Sequence, residues 1–255
     1  MILFPILLLL TGLYVLVTTG LTIGLGRQAG KNRDGAPSVT VVVCAHNEAD
    51  FIGTCLAAIA AQTYDTEQTE VIVVDDRSTD ETGKIARSWS DRIPHLIVLP
   101  VTDRRLGCPK KNALSHGLAA AGGRIILTTD ADCAPSPGWI ASTVASFAEG
   151  VGVVIGPAPL TDPGSKFSPI LIFQALLVNA LAAGSAGIGI PLTCSGRNLA
   201  FRREAFDQAG GYEPIGDIIG GDDVLLMRRI RAVGWRVVFN QDEQATVTSP
   251  AHLDR

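Results

Sequence analysis

The sequence predicts an α/β fold, a mostly parallel central sheet with helices on both faces, preceded by one long apolar helix. Three observations predict it. Short β-branched runs alternate with segments of helical periodicity from residue 38 to residue 160. Two of those runs, EVIVVDD at 70–76 and RIILTTDAD at 124–132, end in paired carboxylates. From Met1 to Gly26 there is no charged residue. Strands that alternate with helices need crossover connections, and such connections make a parallel sheet covered on both faces.

Each element follows from its composition. MILFPILLLLTGLYVLVTTGLTIGLG at the amino terminus is rich in Leu, Ile and Val. A helix of about 25 residues reaches about 37 Å, against about 30 Å for a bilayer core. A signal peptide would have a basic leading region and a shorter apolar stretch. The run is therefore expected to be a transmembrane anchor over 1–26. Arg27, Lys31 and Arg33 follow it, and positive charge on that flank places the following domain in the cytoplasm. RQAGKNRDGAP (27–37) is polar, with Gly and Pro, and reads as a linker. The remaining chain, 38–255, forms the main domain.

SVTVVVCA (38–45) reads as a buried parallel strand. EADFIGTCLAAIAAQ (48–62) has apolar residues at helical spacing. EVIVVDD is the second strand. Ser78 and Thr79 are expected to cap the helix in TDETGKIARSWSD. HLIVLPV (95–101) is the third strand, and KKNALSHGLAAA (110–121) is a helix closed by Gly122-Gly123. RIILTTD is the fourth strand, PGWIASTVASFAE (137–149) a helix and VGVVIGPAPL (151–160) the fifth strand. FSPILIFQALLVNALAAGSAGIGIPL (167–192) has no charge, but its second half holds glycines and its first half is short for a span. It reads as a helix packed on the domain or lying at a membrane surface. A helix in GGDDVLLMRRIRAVGW (220–235) and a closing strand in WRVVFN complete the chain.

Composition excludes several classes. At 255 residues and 47% hydrophobic, the chain can bury a sizeable core. Net charge is −4 and no basic block occurs, so nucleic acid is not an expected partner. Cys44, Cys55, Cys108, Cys133 and Cys194 form no CxxC pair, which argues against a disulfide framework and a zinc site.

The acidic clusters carry the chemistry. They are Asp75-Asp76, Asp80-Glu81, Asp130-Ala131-Asp132 and Asp222-Asp223. Carboxylates at strand ends in an α/β protein face the crevice where ligands bind. Two of them one residue apart suit a divalent cation, and that cation suits a diphosphate. Asp80 reads instead as first-turn helix chemistry.

VVVCAHNEADFI, VVDDRSTDET, the Lys110-Lys111-Asn112-Ala113-Leu114 stretch, TTDADCAPSPGWI, SGRNLAFRREAFDQAGGY and GGDDVLLMRRIRAVGW occur in that order. Together they resemble family 2 glycosyltransferases, inverting enzymes of the GT-A fold, over about residues 38–248. The resemblance implies that Ala45, His46, Asn47 and Glu48 cradle the nucleotide and that Asp76 contacts base or ribose. Lys110 matches the family's lysine before Ala-Leu and would face the diphosphate, with Lys111 as the fallback. Asp130 and Asp132 match the DxD motif. Asp132 is the expected ligand of Mg2+ or Mn2+, and Asp130 contacts the ribose or the metal through water. Counting back from Gly234-Trp235, Asp223 takes the place of the catalytic base, with Asp222 orienting it or receiving the acceptor. Arg197 and Asn198 are the polar candidates on the acceptor side, whereas Leu199 and Phe201 read as core.

Departures accompany the match. The family's Glu-Asp is Asp-Asp here, and no Gln-x-x-Arg-Trp follows before HLDR. The chain reads as a short, non-processive enzyme or as a fragment. The implied function is transfer of a sugar from a nucleotide-diphosphate sugar, a UDP-sugar by preference, to a hydroxyl. A lipid or lipid-linked glycan is the acceptor an anchored domain would reach. Two rivals stand beside it. A nucleotidyltransferase would carry a Gly-rich basic loop after the first strand, which CAHNEAD is not. A catalytically silent membrane protein that binds nucleotide sugars or scaffolds partners would fit the missing carboxy-terminal motif.

Overall fold

The computed structural model describes residues 3–27, 30 and 35–251. Most of the linker, including Lys31 and Arg33, and the HLDR tail lie outside the described residues. The helices are α1 (Leu3–Leu25), α2 (Ile52–Ala60), α3 (Thr82–Arg87), α4 (Pro109–Ala120), α5 (Trp139–Ala145), α6 (Ser168–Gly187), α7 (Arg203–Gln208) and α8 (Asp222–Ala232). The main sheet is built from β1 (Val39–Ala45), β2 (Thr69–Asp76), β3 (Leu96–Val101), β4 (Ile125–Asp130), β6 (Val151–Ile155), β8 (Leu199–Arg202) and β9 (Arg236–Phe239). β5 (Ala134–Pro135), β7 (Leu160–Thr161) and β10 (Val247–Pro250) form a second, small sheet.

The main sheet runs β3-β2-β1-β4-β8-β6-β9. β3, β2, β1 and β4 are mutually parallel. β8 lies antiparallel between β4 and β6, and β9 pairs parallel with β6. The chain therefore leaves β1 towards β2 and β3 and later returns to place β4 on the other side. Such a switch point opens a crevice beyond the strand carboxyl ends.

Side chains alternate across the pleat and divide the core into two layers. Val42, Ile72 and Val74 pack with Leu114 and Leu118 of α4 and Leu226 and Ile230 of α8. Val41, Val43 and Val73 pack with Ile52 and Leu56 of α2 and with Trp139 and Ile140 of α5. Gly117 permits the close seat of α4, since a Cβ there would press on Val42 and Val74.

Several boundaries differ from the sequence expectation. The fifth strand stops at Ile155, because Pro157 and Pro159 have no N–H to give a ladder. Leu160–Thr161 instead joins the small sheet beside β10, so Arg236–Phe239 is not the closing strand. β8 was not legible, being four residues that run straight into α7. Ser78 and Thr79 do not cap α3. Ser78 Oγ accepts from Asn47 N–H, Thr79 N–H donates to Asn47 Oδ1, and Asp80 receives the Thr82 N–H.

The carboxyl end of α6 is buried on the domain at Ala182, Ala183 and Ala186, while Ile170, Phe173, Leu176 and Leu177 are exposed. α1 is exposed along its apolar length but meets α6 through glycine. A Cβ on Gly24 would collide with the Gly184 carbonyl, and one on Gly187 with the Gly24 carbonyl. Small residues of this kind let helix backbones touch. Gln241 Nε2 donates to the carbonyls of Leu25 and Arg27, pinning the end of α1. Both α1 and α6 are long and apolar enough to cross a membrane.

Candidate active site

The crevice at the switch point holds a cleft of ≈ 780 Å3. Cys44, Ala45, His46 and Glu48 line it from the end of β1, Asp76 and Arg77 from β2, Asp130 and Asp132 from β4, and Lys110 from α4. Register explains the convergence: Ala45 is level with Asp75, and Cys44 with Asp130. Ala45, His46, Glu48, Asp76, Lys110, Asp130 and Asp132, each singled out in the sequence, thus share one wall.

The two loops that form this wall are tied together. His46 Nδ1 donates to the Asp76 carbonyl at 2.6 Å, which fixes the tautomer because a carbonyl can only accept. The Glu48 N–H donates to Thr82 Oγ1 at 2.7 Å, and the Ala49 N–H to Asp80 at 3.2 Å. Asn47 and Arg77 both have positive φ, 57° and 59°. Asn tolerates that region, whereas for Arg it carries strain of about 1–2 kcal/mol. Arg77 is held there by bonds from Nε and Nη2 to the two oxygens of Asp76, at 2.7 and 2.9 Å. Asp76 is nearly buried beneath it.

Lys110 joins the cleft to the second acidic pair. Its Nζ lies 2.9 Å from Asp130 Oδ1 and 3.7 Å from Asp222 Oδ2. Burial would lower the lysine pKa, but Asp130 and Asp222 outweigh it and hold the ammonium above its ordinary range. A narrow recess behind Lys110 is lined by Asp130, Gly196, Tyr212, Asp222 and Asp223. Asp223 Oδ2 accepts from the Gly196 N–H at 2.8 Å and Oδ1 from the Val224 N–H at 2.7 Å. Burial pushes its carboxyl above the ordinary aspartate value. The charge of Asp222 adds to the push, and the two N–H groups and Lys110 offset only part of it.

Two residues expected at the acceptor side are turned elsewhere. Asn198 is buried. Its Oδ1 accepts from Trp139 Nε1, and its Nδ2 donates to the carbonyls of Pro157 and Ala245. Arg197 donates to Ser249 Oγ at 2.5 Å and to the Ala158 carbonyl at 2.9 Å. Both side chains brace the small sheet against the core, and neither lines the cleft. Leu199 and Phe201 are buried in the core.

A model of the glycosyl transferase family 2 matches residues 40–210. The chain belongs to glycosyl transferase family 2. It is 28% identical over 207 residues to glycosyltransferase AglE of Haloferax volcanii, covering 81% of this chain and 65% of that protein. It is 27% identical to the probable glycosyltransferase YdaM of Bacillus subtilis, covering 82% of this chain and 50% of that one. The chain thus spans about half to two thirds of the length of these relatives. Among solved structures it resembles the mannosyltransferase PcManGT from Pyrobaculum calidifontis, in complex with GDP-Man and Mn2+. That match has a TM-score of 0.73 and 26% identity, and covers 96% of this chain and 66% of that one. The α/β architecture is the GT-A fold.

For a family 2 chain, the question of a metal turns on the donor set. Among the described residues, no three His, Cys, Asp or Glu side chains converge as a ready-made cage. Mg2+ is commonly held by one or two carboxylates together with substrate phosphates and water. Asp130 and Asp132, both on the cleft wall, fit that mode. Other residues of the site were missed in the sequence. Arg77 and Arg104 line the cleft, and Tyr212 lines the recess. Only the positive φ of Arg77 would have drawn notice to it, and backbone angles are not written in composition.

Proposed function

We propose that this chain is an inverting glycosyltransferase that moves a sugar from a nucleotide-diphosphate sugar to a hydroxyl acceptor. The observation that carries this reading is Lys110. Its ammonium bridges Asp130 of the cleft and Asp222 of the recess, so donor-side and acceptor-side carboxylates meet at one point. In this reading Ala45, His46, Glu48 and Asp76 receive the nucleoside, while Lys110 and Asp130 attend the diphosphate and ribose. Asp132 holds Mg2+ or Mn2+, assisted by Asp130. When bound, the ion would neutralise charge on the departing diphosphate.

Asp223 is the base in this reading. A carboxylate offers about four acceptor positions, and the N–H groups of Gly196 and Val224 take two of them. The remaining capacity suits an acceptor hydroxyl. A carboxyl whose pKa is raised by burial is a stronger base when ionised. The activated oxygen attacks the anomeric carbon as the bond to the diphosphate breaks, and its proton passes to Asp223. A single displacement inverts the anomeric centre. Asp222 orients the acceptor and anchors Lys110.

A membrane-anchored arrangement supports a lipid or lipid-linked acceptor. Residues 1–26 serve as anchor, 27–37 as linker and 38–255 as the cytoplasmic GT-A domain. Ile218 and Ile219, just before α8, are 50% and 88% exposed, an apolar tip beside the recess. The sequence favours a UDP-sugar, whereas the Pyrobaculum neighbour holds GDP-Man. The test is a thermal-shift screen of UDP- and GDP-sugars with and without Mn2+, followed by transfer assays in detergent. A ligand that binds the native state raises its melting temperature. A metal-dependent shift with turnover is expected. A shift without turnover would favour the silent binding protein, and the lack of any shift would remove the donor site.

A further inference from the structure

Two consecutive lysines leave the start of α4 in different directions. Lys110 reaches the cleft carboxylates. Lys111 is fully buried, and its Nζ donates to three backbone carbonyls: Ile215 at 3.0 Å, Ile218 at 2.5 Å and Gly220 at 2.9 Å. An ammonium has three protons to give and nothing to accept. All three are used, and all on one short segment. That segment ends at Gly220 and Gly221, whose φ values are 74° and 63°, and the next residues are Asp222 and Asp223.

Two weaker ties join the same pieces. The Cys108 N–H donates to the Gly216 carbonyl at 2.9 Å, and the Gly107 N–H to Asp217 Oδ1 at 3.3 Å. Without them, consecutive glycines would give this stretch wide conformational freedom. A buried charge without a partner is unfavourable, so the carbonyls must stay gathered around Lys111 for it to remain inside.

We propose that Lys111 is a positioning residue. Its ammonium gathers the 215–220 backbone and so sets where Asp222 and Asp223 stand against Lys110 and Gly196. It touches neither donor nor acceptor and acts through the two aspartates. This rests on the reading of Asp223 as the base. It also couples the sites, since α4 presents Lys110 to the diphosphate and Lys111 to the acceptor-side loop.

The test compares the full chain with Lys111→Met, which keeps the length of the stem and removes the ammonium. Turnover, donor affinity by calorimetry with Mn2+, and amide exchange are measured together. Misplacing a base lowers kcat, so a loss of about tenfold or more is expected, with donor Kd held within about twofold. Amides of 215–223 should exchange faster while those of β1 and β4 do not change. Unchanged kcat, or donor affinity that falls in step with kcat as exchange rises throughout, would overturn the proposal. If Lys111→Met does not fold, the exposed Asp217→Ala carries the test. A smaller kcat loss at constant donor Kd is expected, and an unchanged kcat would overturn the tethering argument. Absence of turnover by the unmodified chain would strike the transferase reading alone, because amide exchange reads the clamp without catalysis.

Discussion

Replacing Asp223 with Asn separates catalysis from stability. The side chain keeps its shape and loses its charge. General-base catalysis contributes about 10²–10⁴-fold, or about 3–5 kcal/mol of barrier. On the folding side, the carboxylate now accepts from two backbone N–H groups, at 2.8 and 2.7 Å. An amide has one acceptor oxygen, so one of those donors loses its partner, at about 1–3 kcal/mol. Removing a desolvated charge offsets part of that loss. The net destabilisation should be at most about 2 kcal/mol, a Tm fall of at most about 4–8 °C for a domain of this size. The sign with pH follows from the raised pKa of Asp223. The folded state holds this proton more tightly than the unfolded one. Wild-type stability therefore falls as pH rises from the ordinary value of 3.8 through the folded pKa. Asp223→Asn lacks that slope, so the stability gap narrows from acid towards neutral pH. The acidic limb of kcat/KM in the wild type should lie above 3.8. Transfer assays across pH, calorimetric donor binding and thermal melts measure each part. A rate loss below about tenfold with donor binding intact would refute the assignment of Asp223 as base.

Other perturbations follow from the same geometry. Lys110→Met leaves Asp130 and Asp222 without their shared cation. Because Lys110 is 40% exposed, screening limits the stability loss to about 1–3 kcal/mol by denaturant titration, alongside weaker donor binding. The lysine pKa is raised, so this contribution is fully present below its ordinary 10.5 and is lost only as pH climbs through the higher folded value. At Gly196, a Cβ would sit 3.4 Å from Asp222 Oδ2 and 3.6 Å from Lys110 Nζ, ordinary contact distances. Gly196→Ala should retain activity, and Gly196→Val should lose it by crowding the carboxylates, as steady-state kinetics would show. Cys44 lines the cleft, but its thiol is pushed up to about 12, first by burial. Alkylating agents at neutral pH should leave transfer unaffected.

Much of the site could be read from the chain because strands end where ligands bind. Asp76, Asp130 and Asp132 follow apolar runs, and a parallel sheet brings such ends to one edge whatever the details of packing. Arg197 and Asn198, which the resemblance set on the acceptor side, rest on no such strand end. They sit in a motif near the recess, but side-chain direction depends on backbone geometry, and both turn to brace the small sheet. β8 was hidden for a related reason: its place in the middle of the sheet comes from pairing with β4 and β6, not from its four residues.

By itself the sequence determined the alternating strands and helices, the apolar amino-terminal helix and the carboxylates at the strand ends. Periodicity and local composition encode these directly. Tertiary structure alone decided how the acidic groups divide. It set Lys110 between Asp130 and Asp222, gave Asp80 to the bond between two loops, and closed Arg77 over Asp76. It also separated two adjacent lysines. Successive residues on a helix point about 100° apart, so Lys110 and Lys111 meet different partners. Which partners stand there is fixed by segments about a hundred residues away in the chain, where no local pattern reaches.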